Sequence, residues 1–167
     1  IFREIDQAFA DKDYLRAAAL CDEQISANRV HVIELLRMKA RMLERSGQPA
    51  LARAVYEQVL GQREYHWARA GLGKIRLADG DFEQARQMFQ TVIAENRHYI
   101  DAYDQLAQAY QGLGRHDEAA AILERAAKLS PNSVPRQRNL GQAALKLGNV
   151  VLAEKAFRKC LVIGEYS

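Results

Sequence analysis

Leu72-Gly73-Lys74-Ile75-Arg76-Leu77-Ala78-Asp79-Gly80-Asp81-Phe82-Glu83-Gln84-Ala85-Arg86-Gln87-Met88-Phe89 is the stretch that decides the fold of this chain. Its apolar residues fall at helical spacing on both sides of an interruption: Leu72, Ile75 and Ala78 before it, then Ala85, Met88 and Phe89 after it, a run that Val92 and Ile93 continue. The interruption, Ala78-Asp79-Gly80-Asp81-Phe82, reads as a stop, a polar cap and a restart. Nothing alternates at period two over the length of a strand. Two helices joined by a tight glycine turn follow from these residues alone.

Outward from this stretch the pattern repeats. Gly47, Gly80, Gly114 and Gly148 lie 33, 34 and 34 residues apart. Five residues after each comes an alanine (Ala52, Ala85, Ala119, Ala153), and four further on a large side chain (Tyr56, Phe89, Leu123, Phe157). Eight residues before the last three glycines stand Leu72, Leu106 and Leu140, each followed by a small residue, Gly73, Ala107 or Gly141. The small residues allow helices to approach closely, and the aromatic or leucine fills the space between them. Around Gly114 and Gly148 the sequences Gly-Leu-Gly-Arg-His-Asp and Lys-Leu-Gly-Asn predict the same capped turn.

These in-phase positions resemble the tetratricopeptide repeat, whose unit is about 34 residues of helix-turn-helix. The resemblance implies an all-α fold: a right-handed superhelical solenoid of antiparallel helix pairs, four full units plus one partial. The units run about 1–32 (partial), 33–65, 66–99, 100–133 and 134–167, as a single solenoid domain. In the partial unit, Phe2, Ile5 and Phe9 mark one helix face, and Ala17 and Cys21 take the second-helix positions. The sequence departs from the family pattern in places. The aromatic near the start of a unit appears only as Tyr103, the closing proline only as Pro131, and Lys39 occupies a leucine position.

Composition agrees with a soluble globular class, at 49% hydrophobic and 27% charged residues with only three prolines to interrupt helices. No apolar run approaches the length that spans a bilayer. Two widely spaced cysteines, Cys21 and Cys160, read as buried thiols in a reducing compartment, which points to the cytoplasm. The chain starts on Ile1 with a helix already under way, so the expectation is a fragment of a longer protein.

Catalytic chemistry has no candidate. His31, His66, His98 and His116 fall at helix junctions, and none pairs with another at metal-ligand spacing. Gly71 and Gly73 lie inside a helix with no preceding strand, which argues against a dinucleotide loop. Asp79, Asp81, Asp117 and Glu118 flank helix starts, where carboxylates offset the helix dipole. The reading is therefore a non-enzyme without metal or cofactor.

Repeat stacking builds an extended binding face. In the tetratricopeptide family that face is lined by the first helix of each unit and holds extended peptides or helices of partner proteins. The family register assigns to it Arg37, Arg41 and Arg45, then Trp67 and Lys74, then Asp101, Asp104 and Gln108, then Arg138 and Gln142. Arg37, Arg41 and Lys74 suit carboxylates, or else form a solvated helix face. Trp67 suits an anchor role, or else packs between units. The lysine–asparagine clamp of the family's C-terminal-peptide binders is not matched.

Charge is banded along the chain, with net values of −3 for residues 1–28, +6 for 29–76, −6 for 77–124 and +6 for 125–167. The bands serve neighbour-to-neighbour attraction or the steering of a partner. Nucleic-acid binding ranks below protein binding, because the −6 band repels phosphates. In the final helix Leu161, Val162 and Ile163 have no following helix to cover them. The expectation there is either further repeats or a homo-oligomer formed through that end.

Trp67-Ala68-Arg69 with Gly71-Leu72, Asp101-Ala102-Tyr103-Asp104 with Leu106-Ala107, and the closing Gly164-Glu165-Tyr166-Ser167 also look like bacterial response regulators that join a receiver domain to a tetratricopeptide array. That likeness implies the output scaffold of a phosphorelay protein. The alternative is an assembly or secretion factor, a chaperone-like adaptor of an envelope machine.

Overall fold

The helices form where the periodicity puts them. The computed structural model describes residues 2–27 and 31–165, and the described residues contain ten helices: α1 (Phe2–Ala10), α2 (Tyr14–Ala27), α3 (Val32–Arg45), α4 (Pro49–Leu60), α5 (His66–Ala78), α6 (Phe82–Glu95), α7 (Asp101–Gly112), α8 (His116–Leu129), α9 (Val134–Lys146) and α10 (Val150–Glu165). The fold class is all-α, built from antiparallel helix pairs of the tetratricopeptide solenoid type.

Each pair is closed by the same turn. Gly80, at φ +80°, donates its N–H to Leu77, and Asp81 donates to Arg76, which together form a Schellman motif. Gly47, Gly114 and Gly148 repeat both bonds. The first pair makes the same turn without glycine: Lys12 sits at φ +60°, with Lys12 N–H bonded to Phe9 and Asp13 N–H to Ala8. Sequence periodicity alone does not reveal that turn, because the residue a left-handed position favours is absent.

The polar caps are only partly as expected. Asp13, Asp81 and Asn149 accept from the main-chain N–H of Arg16, Gln84 and Leu152 respectively. At the turn after Gly114 no side chain caps α8. The residue in that place is Arg115, a donor, which instead pairs with Glu118.

The chain divides into two compact units, residues 1–75 and 76–167. In the first, Ile5, Ala17, Cys21, Leu35, Leu36, Ala52, Tyr56 and Val59 form the buried interior. Lys39, standing where other units carry leucine, is part-buried and reaches back to Asp22 on α2 at 2.6 Å. Gly71 faces the Tyr56 ring so closely that a Cβ there would lie 2.2 Å from Cζ. In the second unit Phe89, Val92, Tyr103, Leu106, Leu123, Leu140 and Ala153 are buried. Gly141 lies against Phe157, where a Cβ would come within 2.7 Å of the ring. Small residues thus set helix separation in both units.

One position, eleven residues before Gly80, Gly114 and Gly148, ties a first helix to the connection that precedes it. Arg69 pairs with Glu64, Tyr103 donates its hydroxyl to the Arg97 carbonyl at 3.1 Å, and Gln137 donates to the Pro131 carbonyl at 3.0 Å. Gln137 does this as a buried polar side chain and so replaces the aromatic that the family pattern carries there. The bond to Pro131 gives the buried amide the partner that burial demands.

Candidate protein-binding faces

In the first unit, α3 and α5 carry the candidate residues. Arg37, Arg41 and Arg45 point to solvent from α3, and Lys74 does so from α5. The Arg37 guanidinium lies over the Trp67 ring, 5.8 Å from its centroid, and within 3.9 Å of Glu34. Trp67 is half-buried, with Tyr56 and Tyr65 at centroid distances of 6.1 and 5.9 Å. The structure therefore brings Arg37 and Trp67 together and gives the indole a packing role. Arg45 is set apart from them, over the Phe9 ring at 6.0 Å. This face is cationic and aromatic.

In the second unit, α7 and α9 form a cleft of about 640 Å³. Asp104, Gln108 and Gln111 line it from α7, and Asn139, Gln142, Leu145 and Lys146 from α9, above a floor of Ala107, Leu123 and Ala143. Asp104, Gln108 and Gln142, chosen from sequence, meet here. Asp101 and Arg138 are exposed residues outside the cleft lining. Asn139 was missed by the family register, although it stands one turn from Gln142.

The second unit also holds a charge cluster that sequence reasoning missed. Arg136 donates to Asp104 at 3.0 Å and to Asp101 at 2.8 Å, a fork from α9 to two carboxylates one turn apart on α7. Burial raises the Asp104 carboxyl above its ordinary value despite the opposing pull of Arg136. The available signal was the meeting of the acidic and basic bands, together with Arg136 lying about one repeat after both acids. This contact is a case of neighbour-to-neighbour attraction.

Other functional chemistry is sparse. Among the described residues no group of His, Cys, Asp or Glu is placed to hold a metal ion. The four histidines sit at helix starts or connections. Both thiols are free; Cys21 is buried beside the Met42 sulfur, and burial pushes it up to about 11. Among the described residues no helix is long and apolar enough to cross a membrane. On α10, Val151, Leu161 and Val162 are exposed. Of the stretches likened to response regulators, Ala68, Gly71, Leu72, Ala102, Tyr103, Leu106 and Ala107 are buried and have packing roles. Tyr166 and Ser167 lie outside the described residues.

Comparison with known proteins gives the family. A family model described as tetratricopeptide repeat matches residues 43–110, 76–145 and 110–159. Mouse tetratricopeptide repeat protein 8 is 30% identical over 88 residues, and the human protein of that name is 27% identical over 88. The match takes in 53% of this chain but only 17% of the mouse protein's length. Among solved structures, a crystal structure of MamA superposes with a TM-score of 0.82 at 23% identity, over 97% of this chain and 95% of that one. MamA from Desulfovibrio magneticus RS-1 gives 0.83 at 19% identity, over 99% and 93%. At such identities the likeness is one of fold. With the family model spanning well over half its length, this chain belongs to the tetratricopeptide-repeat family.

Proposed function

We propose that this chain is a protein-interaction scaffold whose second unit holds an extended segment of a partner protein in the α7–α9 cleft. The observation that carries this reading is the amide lining. Gln108, Gln111, Asn139 and Gln142 each offer donors and an acceptor, the set an extended main chain needs for its own N–H and C=O groups. The floor accepts only small apolar side chains, because Ala107, Leu123 and Ala143 are already packed. In the first unit, Arg37, Arg41 and Lys74 supply a cationic face suited to acidic residues or a terminal carboxylate.

A peptide array probed with the purified full-length protein tests the cleft. Bound peptides should lose about fivefold in affinity for each amide replaced by alanine, the worth of about 1 kcal/mol per hydrogen bond. Gln142→Trp, which fills the cleft, should abolish binding, and an unchanged array pattern would remove the assignment. The first-unit face is tested by reversing charge at Arg37, Arg41 and Lys74 together. Intact capture of every native partner would exclude it.

The finer role as output region of a bacterial phosphorelay protein rests on the three short stretches named above. An attached receiver domain in the full-length protein would support it, and a lipoprotein leader would favour the envelope-assembly role. Self-association through α10 has its own observation, the exposed Val151, Leu161 and Val162. A concentration-independent monomer in sedimentation would exclude it. A cytoplasmic location follows from the free thiols only as part of this reading.

A further inference from the structure

The second unit carries another groove, on a different face of α7 from the amide cleft. It has a volume of about 800 Å³. Tyr103, Leu106 and Tyr110 form its floor from α7, while α6 and α8 form its walls. The tyrosines are fixed in place: Tyr103 by the Arg97 carbonyl and Tyr110 by Gln90, which donates to its hydroxyl at 2.9 Å. Ile93, Ile122 and Leu129 supply apolar walls.

The charge of this groove is of one sign. The charged residues lining it are Arg97, Arg125 and Lys128, with no carboxylate among them. Lys128 is engaged by Glu124 at 2.9 Å. Arg125 lies over the Tyr103 ring, 5.3 Å from its centroid. Among the described residues neither Arg97 nor Arg125 has a carboxylate partner. Exposed guanidinium groups beside an apolar floor match a ligand that brings carboxylates and an aliphatic side chain together.

We infer that this groove docks an acidic, leucine-bearing segment of a partner protein, with its carboxylates on Arg97 and Arg125 and its apolar side chains over Leu106, Ile122 and Leu129. The occupant is a short segment, since among the described residues the groove offers only two guanidinium groups without a carboxylate partner, Arg97 and Arg125. The site is separate from the amide cleft and does not depend on it. It makes the second unit a scaffold with two docking faces.

The test is fluorescence anisotropy on the full-length protein, with a short fluorescein-labelled peptide of alternating Glu-Glu and Leu-Leu pairs. A Lys-Lys/Leu-Leu peptide, a Glu-Glu/Ala-Ala peptide and an oligothymidylate serve as comparisons. The acidic leucine peptide should bind most tightly of the four. Arg97→Gln with Arg125→Gln should weaken it by about tenfold without moving the thermal melt, and Gln108→Ala with Gln142→Ala should leave it unchanged. Failure of the acidic leucine peptide to bind would overturn the proposal. So would wild-type affinity in the arginine variant, loss of binding in the cleft variant, or tighter binding of the oligonucleotide. If the arginine variant melts early, protection of the Ile122 and Leu129 methyl resonances by the peptide in the unmodified protein decides the matter. Shifts confined to Ala107, Gln108 and Gln142 would overturn the proposal.

Discussion

The first-helix faces of the two units use opposite devices. In the first unit charge is presented to solvent, with Arg41 and Lys74 exposed and Arg37 resting on an indole that packs against two tyrosines. In the second unit Arg136 is forked between Asp101 and Asp104, and the open cleft lining is mostly neutral amide, with Lys146 its one exposed cation. The ties to the preceding connections differ in the same way: the first unit uses the Arg69–Glu64 ion pair, the second uses main-chain carbonyls held by Tyr103 and Gln137. The same helical frame thus presents two surface chemistries. One is electrostatic and sensitive to salt; the other is directional hydrogen bonding.

The sharpest way to break this contrast is to remove the aromatic support of the first face. Trp67→Ala should destabilise the protein by about 3 kcal/mol, the usual cost of truncating a packed indole, read as a lower urea midpoint. A loss below about 0.5 kcal/mol, the scatter of surface substitutions, would show that the indole is a solvent-facing anchor. Gly71→Ala presses on the same cluster and should cost about 2 kcal/mol.

In the second unit, Arg136→Ala should cost about 2 kcal/mol near neutral pH, because it leaves the part-buried Asp104 carboxylate without its cation. The pH dependence gives the sign. Asp104 is raised above its ordinary 3.8, so the fold holds that proton more tightly than the unfolded chain does, and stability falls as pH rises through the raised value. Removing Arg136 takes away the pull that opposes burial, so the deficit of the variant should shrink on acidification. Glu83 behaves in the opposite sense. Arg86 holds it down to about 2, and its contribution is present above the ordinary 4.5 and lost as pH falls towards 2. Urea midpoints at several pH values, with Glu83→Gln alongside, separate the two groups.

The smallest effect concerns the turns. Lys12→Gly should stabilise the first unit by about 0.5–1 kcal/mol, since the side chain is strained at a left-handed position. The same change cannot be made at Gly114 or Gly148, where glycine already stands.

Much of this fold was legible because it depends on residues that recur. Gly47, Gly80, Gly114 and Gly148 mark turns whose φ values all lie between 71° and 80°, and the alanines that follow them pack where helices touch. What escaped the sequence lies where a different residue performs a recurring task. Lys12 makes a glycine turn, Gln137 makes an aromatic's tether, and Lys39 replaces a core leucine by reaching Asp22. Arg136 escaped because its partners lie on another helix pair, a contact that periodicity locates by helix but not by side chain. Of the candidate residues, Asp104, Gln108 and Gln142 meet in space, while Asn139 needed the actual rotation of α9.

The central claim, that this chain binds proteins through its first-helix faces, is tested most directly by site-specific photocrosslinking in cells that make the full-length protein. A photoreactive amino acid is placed in turn at Gln142 in the cleft, at Arg41 on the first face, and at exposed Gln58 on α4. The account predicts discrete higher-mass protein adducts from positions 142 and 41 and none from position 58. Adducts from position 58 alone, or equally from all three positions, would contradict it.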